Sequence, residues 1–188
     1  RKPRGRSGWI YEKILLSECM LHISTAVIRR SLLKSGEGFN AELTVAEDLD
    51  FFLNIAQRSK AHFDPAVLVS YRIHSGQSIQ RTGAIDLEQA ETRVIEKRLS
   101  DRTLPSKVRR RCSSVRQLRL AAWYAREHRG EIARRKLLAG FRQRPLIALD
   151  WRWWGTWVLA LEPRILRHRA VARYFAGDGA GMQLPEQS

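Results

Sequence analysis

The spacing of apolar residues predicts both helices and strands in the first part of the chain. Leu49, Phe52, Leu53 and Ala56 recur at i, i+3, i+4 and i+7, as in a helix with one buried face. "HISTAVIR" (22–29) and the alternating "AVLVSYRIHS" (66–75) predict strands. A helix is also predicted up to about residue 20. We therefore expect a mixed α/β part over residues 1–83.

After residue 84 the apolar spacing becomes helical throughout. Helices are predicted over 86–99 and 106–128, with a break at Gly130 and a further helix of about a dozen residues that Pro145 ends. A Trp-rich segment follows, then a last basic helix near 164–175. We expect an all-α extension over 84–176 and a flexible tail over 177–188.

Three acidic residues stand near the start of the first apolar helix. Thr44 and Glu47 have the spacing of a capping box, which predicts a helix that begins at Thr44. At about 100° per residue, Asp48 lies at the edge of the apolar arc, whereas Asp50 points to solvent. A carboxylate held at that edge can accept a proton from a substrate hydroxyl, although it can equally serve only as a cap.

Asp48 and Asp50 also spell DxD, a pattern that can chelate a metal ion carrying a nucleotide diphosphate. On a helix the two side chains diverge by about 200°, so they do not share one ion. Arg72 and His74, two residues apart on the predicted strand, point the same way. They suit phosphate oxygens, or they are simply solvated.

The order of these motifs resembles a known enzyme family. "STAVIRRSLLKSGEGFNAELTVAEDLDFFLNIAQ" followed by "DPAVLVSYRIHSGQSI" is similar to the second half of a family 2 glycosyltransferase domain of the GT-A type. The shared features are a small-residue strand ending in Arg, a Gly-Phe-Asn loop, a Glu-Asp pair at a helix start and a Tyr-Arg-x-His. The resemblance covers residues 20–80.

The resemblance implies an inverting transfer of a sugar from a nucleotide-diphospho-sugar to a glycan or lipid-linked acceptor. Asp48 would be the general base and Glu47 would position the acceptor. Arg72 and His74 would face the leaving diphosphate. A cytoplasmic protein at the inner face of the membrane is expected.

Two departures from the family pattern change that expectation. The loop at residues 36–42 carries extra residues, and the nucleotide-binding βαβ units are absent from the sequence. The Mg²⁺ or Mn²⁺ expected in the full-length enzyme would bind a strand-end DxD that this chain lacks. We therefore expect a truncated piece that does not catalyse transfer by itself.

The helical extension has its own resemblance. "LRLAAWYAREHRGEIARRKLLAGFRQRP" is similar to one tetratricopeptide-type hairpin, with Ala121, Ala122 and Ala125 as close-packing residues. "DWRWWGTW" predicts either core packing or a peripheral membrane contact through residues 151–175, because Trp is favoured at the membrane interface.

Composition adds an alternative function. The formal net charge is +15, the pI is near 10.9 and there are two cysteines. Such a chain favours anionic partners, so a basic helical module for nucleic acid or an anionic membrane surface is the alternative. No nucleic-acid-binding signature is present, and nucleic acid is not expected as the partner.

Overall fold

The computed structural model describes residues 5–19, 21–33, 38–70, 72 and 83–161. Within these ranges the chain forms α-helices joined by short 3₁₀ turns and irregular segments. The α-helices are α1 (Tyr11–Leu15), α2 (Glu47–Ala56), α3 (Ala84–Leu99), α4 (Ser106–Arg126), α5 (Gly130–Gln143) and α6 (Trp151–Leu161). The 3₁₀ turns cover Ile23–Thr25, Arg30–Leu32 and Pro145–Leu149.

The predicted α/β architecture, a partial GT-A domain, is wrong. The described residues contain helices and no strand, and the one β-bridge joins Gly8 to Ala61. Residues 23–25 form a 3₁₀ turn, in which the Thr25 N–H donates to the His22 carbonyl at 2.9 Å. Residues 66–70 form no strand, and the rest of the second predicted strand lies largely outside the described residues.

The physical reason is that alternation describes where side chains point, whereas a strand also needs a hydrogen-bonded neighbour. Ala26 and Arg29 have extended backbone angles, yet no ladder forms beside them. Val67 and Leu68 are 80% and 77% exposed, so neither side of that segment is buried. The apolar residues that predicted a strand therefore have no neighbouring strand to pair with among the described residues.

Internal contacts divide the chain into two compact units, residues 1–112 and 113–188. The sequence placed a domain boundary near residue 84, whereas the boundary between these units falls inside helix α4. In the first unit, helices α1, α2 and α3 and the start of α4 enclose one hydrophobic core. Its most buried members are Ile10, Leu15, Phe52, Leu53, Ala56, Val94, Ile95 and Cys112.

The second unit is built from the rest of α4, α5, the last 3₁₀ turn and α6. Ala121 and Ala125 are buried, as the predicted close-packing role requires, while Ala122 is half-buried. The Ser114 hydroxyl donates to the Gly140 carbonyl at 2.9 Å, which joins α4 to α5. The predicted pair of helices and its end before Pro145 are confirmed, whereas the tetratricopeptide resemblance stays a prediction.

The break between α4 and α5 has a different cause from the predicted one. His128 carries the left-handed conformation, with φ 61°, and the Arg129 N–H donates to the Tyr124 carbonyl at 2.9 Å. This is the bonding pattern that ends many helices. Gly130 instead opens α5, where an added Cβ would lie 2.3 Å from the Ala160 carbonyl oxygen. Glycine is therefore required there for close approach.

Candidate functional site

Helix α2, which carries the candidate base, begins at Glu47 rather than at Thr44. Ala46 precedes it in the left-handed region, with φ 62°, and no side chain caps the helix. The predicted capping box of Thr44 and Glu47 is therefore wrong. Glu47, Asp48 and Asp50 all lie in the first turn, where the helix dipole favours negative charge.

Asp48 is half-buried in that first turn. Its Oδ1 accepts the backbone N–H of Leu49 at 2.7 Å. Among the described residues it forms no ion pair, so no cation neutralises it there. Glu47, the first residue of the helix, is also half-buried. The carboxylate of Asp48 is thus ordered near solvent, as a proton acceptor would need to be.

Asp50 is buried, and its predicted position on the solvent face is wrong. Its side chain is about one-tenth exposed, and its Oδ1 lies 2.6 Å from Nη2 of Arg98 on helix α3. The same Nη2 donates to Oδ1 of Asn54 at 2.7 Å. Asp50, Asn54 and Arg98 form a buried polar cluster that ties α2 to α3.

Local spacing placed Asp48 at the edge of the core and Asp50 on the solvent face, so it did not predict this cluster. A buried carboxylate is tolerated when a cation reaches it and hydrogen bonds satisfy its oxygens. That cation comes from 48 residues further along the chain. The one local signal was the i, i+4 spacing of Asp50 and Asn54, which places two polar groups on one side of the helix.

The loop before α2 is also held in place. The ring of Phe39 stacks on Phe51, with centroids 4.5 Å apart and planes inclined by 29°. The Asn40 side chain accepts the backbone N–H of Glu42 at 3.0 Å, which closes a local turn. The described part of the Gly-Phe-Asn loop therefore packs directly against the helix that carries Asp48.

The structure describes only part of the predicted partner cluster of Asp48. Arg72 is exposed and belongs to neither a helix nor a strand. His74 lies outside the described residues. The expectation that both side chains face a leaving diphosphate beside Asp48 therefore stays a prediction.

The DxD sequence at residues 48–50 does not fit a divalent metal ion. Asp50 of the DxD sequence is engaged with Arg98, and Asp48 accepts a backbone N–H, so the two carboxylates serve different partners. Across the described ranges, no group of three His, Cys, Asp or Glu residues is placed to hold a metal. No metal-dependent step is derived for this chain.

Neither cysteine in the first unit is poised as a nucleophile. Burial raises the pKa of Cys19 and outweighs the opposing influence of Lys13 and Arg6. Cys112 is buried, and its thiol donates to the Leu15 carbonyl oxygen, with 3.2 Å between Sγ and the oxygen. Both are buried core residues, and the raised pKa of Cys19 favours its neutral thiol.

In the second unit, the Trp-rich segment forms helix α6, and only some of its side chains are buried in the core. Trp153 is buried and its ring lies edge-on to those of Trp154 and Trp157. Trp151 and Trp154 are more than half exposed. Within the part of the chain that the structure describes, no helix is both long and apolar enough to cross a bilayer. The predicted basic helix near 164–175 lies outside the described residues.

The chain has no detectable relative in the three comparisons made. No protein-family model matches it, and neither a curated protein nor a solved structure is significantly similar.

Proposed function

We propose that this chain is the acceptor-side part of an inverting glycosyltransferase, with Asp48 as the general base. The observation that carries the proposal is the placement of Asp48. It lies half-buried in the first turn of a helix that a buried polar cluster anchors from the opposite side. The reaction class is proposed from the order of the sequence motifs along residues 20–80. The proposal concerns the reaction alone and does not include an α/β architecture.

The chemistry follows from what a fixed carboxylate can do. Asp48 accepts the proton of an acceptor hydroxyl while that oxygen attacks the anomeric carbon of the donor sugar. The new C–O bond forms as the bond to the diphosphate breaks, and the bonding electron pair leaves with the diphosphate. A single displacement inverts the configuration at that carbon. Glu47, half-buried next to Asp48, is suited to orient the acceptor.

The proposed role also requires the Asp48 carboxylate to keep its position during the reaction. Anchoring by Asp50 and Arg98 fixes the first turns of α2, and the stacking of Phe39 on Phe51 fixes the preceding loop. Catalysis by a positioned base depends on such support, because small misplacements reduce the rate steeply. The diphosphate would be met by Arg72 and His74, a role that rests on the sequence resemblance.

The test is a transfer assay on the complete product of the gene, with nucleotide-diphospho-sugars and glycan or lipid-linked acceptors. Asp48→Asn should lower kcat by about a thousandfold or more, because it removes the base, and should leave the KM for the donor nearly unchanged. The matched control is Asp86→Asn, which alters an exposed acid in the first turn of α3 and should leave kcat unchanged. Full turnover in Asp48→Asn would remove Asp48 as the base.

A further inference from the structure

Helix α6 is apolar on two opposite faces. One face is buried in the second unit through Trp153, Thr156, Leu159 and Ala160. The other consists of Trp151, Trp154, Val158 and Leu161, which are 55%, 59%, 49% and 63% exposed. At about 100° per residue these four fall within a sector of roughly 80°. We call these four residues the Trp151 face.

An exposed apolar stripe of this kind marks a candidate interaction surface, because surface helices normally present polar residues to water. The exposed apolar surface also continues beyond the helix. Leu146 and Leu149, in the preceding 3₁₀ turn, are 60% and 82% exposed. Together with Trp151 they line one open depression. The patch is therefore continuous from the turn into the helix.

Hydrogen bonds hold the first part of the Trp151 face in place. The Trp154 indole N–H donates to the Ala148 carbonyl at 2.8 Å, which satisfies its polar group while the ring stays exposed. Asp150 caps the helix by accepting the Arg152 N–H at 3.0 Å and pairs with the Arg152 guanidinium at 2.7 Å. A preformed apolar surface loses little conformational entropy on binding.

The charge around this face selects the partner. Residues 113–161 contain ten arginines and lysines and three acids. Arg144 lines the same depression as Leu146 and Leu149, and Arg142 is exposed two residues earlier. Exposed Trp and Leu flanked by arginine suit the boundary between anionic headgroups and acyl chains. A second copy of the chain would bring the same cations against these, which is unfavourable.

We propose that the Trp151 face docks onto an anionic lipid bilayer, with helix α6 lying in the plane of the interface. The helix has 11 residues, or about 16 Å, so it lies on the surface and does not cross it. Trp151, Trp154, Val158 and Leu161 enter the headgroup–acyl boundary, and the arginines beside them pair with lipid phosphates. This inference uses only the second unit and stands whether or not Asp48 is a catalytic base.

The first experiment measures flotation of the whole chain with vesicles of phosphatidylcholine, with and without about 30 mol% phosphatidylglycerol. We expect binding only to the anionic vesicles. The double variant Trp151→Ser with Leu161→Ser should weaken that binding by about tenfold or more, because it removes two exposed apolar contacts. The control Val67→Ser with Leu68→Ser removes comparably exposed apolar residues from the first unit and should bind like the wild type.

A second measurement guards against loss of folding in the double variant. In Trp154→Phe the exposed ring is replaced by another aromatic ring, and circular dichroism should match the wild type. Lipids brominated on the acyl chains should quench wild-type tryptophan fluorescence, and this quenching should fall in Trp154→Phe, since it removes an indole that inserts.

Three results would overturn the proposal. The first is equal binding to neutral and anionic vesicles. The second is unchanged affinity in the Trp151→Ser, Leu161→Ser variant, which would leave the general positive charge as the cause. The third is a wild-type dimer in sedimentation that the double variant dissociates, without vesicle binding, which would make a second copy the occupant.

Discussion

At the scale of single residues, Asp50 and Arg98 form a buried ion pair, and replacing either residue alone should destabilise the fold. Asp50→Leu or Arg98→Met alone leaves a charge in the core, and each should lower the free energy of unfolding by about 3 kcal/mol or more. The double variant replaces both charges by apolar groups and should be less destabilised than the sum of the two. Urea denaturation of the four proteins measures this coupling.

The exposed pair of Arg111 and Glu18 provides the comparison, because both side chains are about two-fifths exposed. Removing it by Arg111→Met should change the unfolding free energy by less than about 1 kcal/mol. Additive effects of Asp50→Leu and Arg98→Met would show that the buried charges do not depend on each other.

Ala46 supports a second prediction, because its φ of 62° is unfavourable for a residue with a Cβ. Ala46→Gly should raise the unfolding free energy by up to about 1 kcal/mol, since glycine adopts this conformation without strain. Ala56→Gly, at the buried end of the same helix, should instead destabilise the chain. Chemical denaturation distinguishes the two, and a destabilised Ala46→Gly would contradict the expected strain.

The acidic residues of α2 show what local spacing can and cannot predict. The sequence correctly indicated a helix with Phe52, Leu53 and Ala56 buried. It assigned Asp50 to solvent, because the rotation per residue carries no information about a cation contributed by a distant helix. Asp48 was expected at the edge of the core and is half-buried.

At the scale of elements, the connection from α4 to α5 allows a paired prediction. Gly130→Ala should lower the unfolding free energy by roughly 1–3 kcal/mol, because the added Cβ would overlap the Ala160 carbonyl oxygen. His128→Gly should raise it by up to about 1 kcal/mol, because it relieves a left-handed conformation two residues earlier. Thermal unfolding measures both, and an unchanged midpoint in Gly130→Ala would contradict the close approach.

Asp150 makes the start of α6 sensitive to acid. Burial by itself would raise its pKa, but hydrogen bonds and charge from Arg152 outweigh burial, so the pKa lies below its ordinary value. The unfolded chain therefore binds this proton first as the pH falls. The stabilisation is complete above about pH 5 and is lost progressively below it.

Asp150→Asn is the variant that isolates this charge, because asparagine caps a helix as well as aspartate does. Wild type should be the more stable protein at about pH 6, and the difference should shrink progressively as the pH falls below the ordinary pKa of aspartate, about 4. Melting temperatures at several pH values measure it. A difference that persists unchanged in acid would show that Asp150 stabilises the helix without its charge.

Helices α3, α4 and α5 were predicted from the sequence, whereas the strands predicted before residue 84 do not form among the described residues. A helix satisfies its own backbone, so periodicity and a few helix-ending residues are enough to indicate one. A strand depends on a neighbour that may be far along the chain, and no local pattern supplies it. The spacing of Trp151, Trp154, Val158 and Leu161 can be read from the sequence. The structure shows that another apolar face of the same helix is buried, so these four residues form a second, exposed face.

At the scale of the whole molecule, 34 Lys and Arg residues face 19 Asp and Glu residues, for a formal net charge of +15. This excess repels itself most in the compact state. In the described ranges the side-chain ion pairs on the surface include Arg111–Glu18, Arg135–Glu131 and Arg152–Asp150. Screening the net repulsion should therefore outweigh the loss of these surface pairs.

We accordingly expect the urea midpoint to rise as NaCl increases from about 20 mM to about 300 mM, because the Debye length shortens over that range. The Asp50→Leu, Arg98→Met double variant should show the same slope, since a buried pair is screened little and its removal leaves the net charge unchanged. A midpoint that falls with salt would mean that favourable ion pairs dominate. Charge repulsion would then not limit the stability of this chain, and the basic excess around the Trp151 face would carry no folding cost.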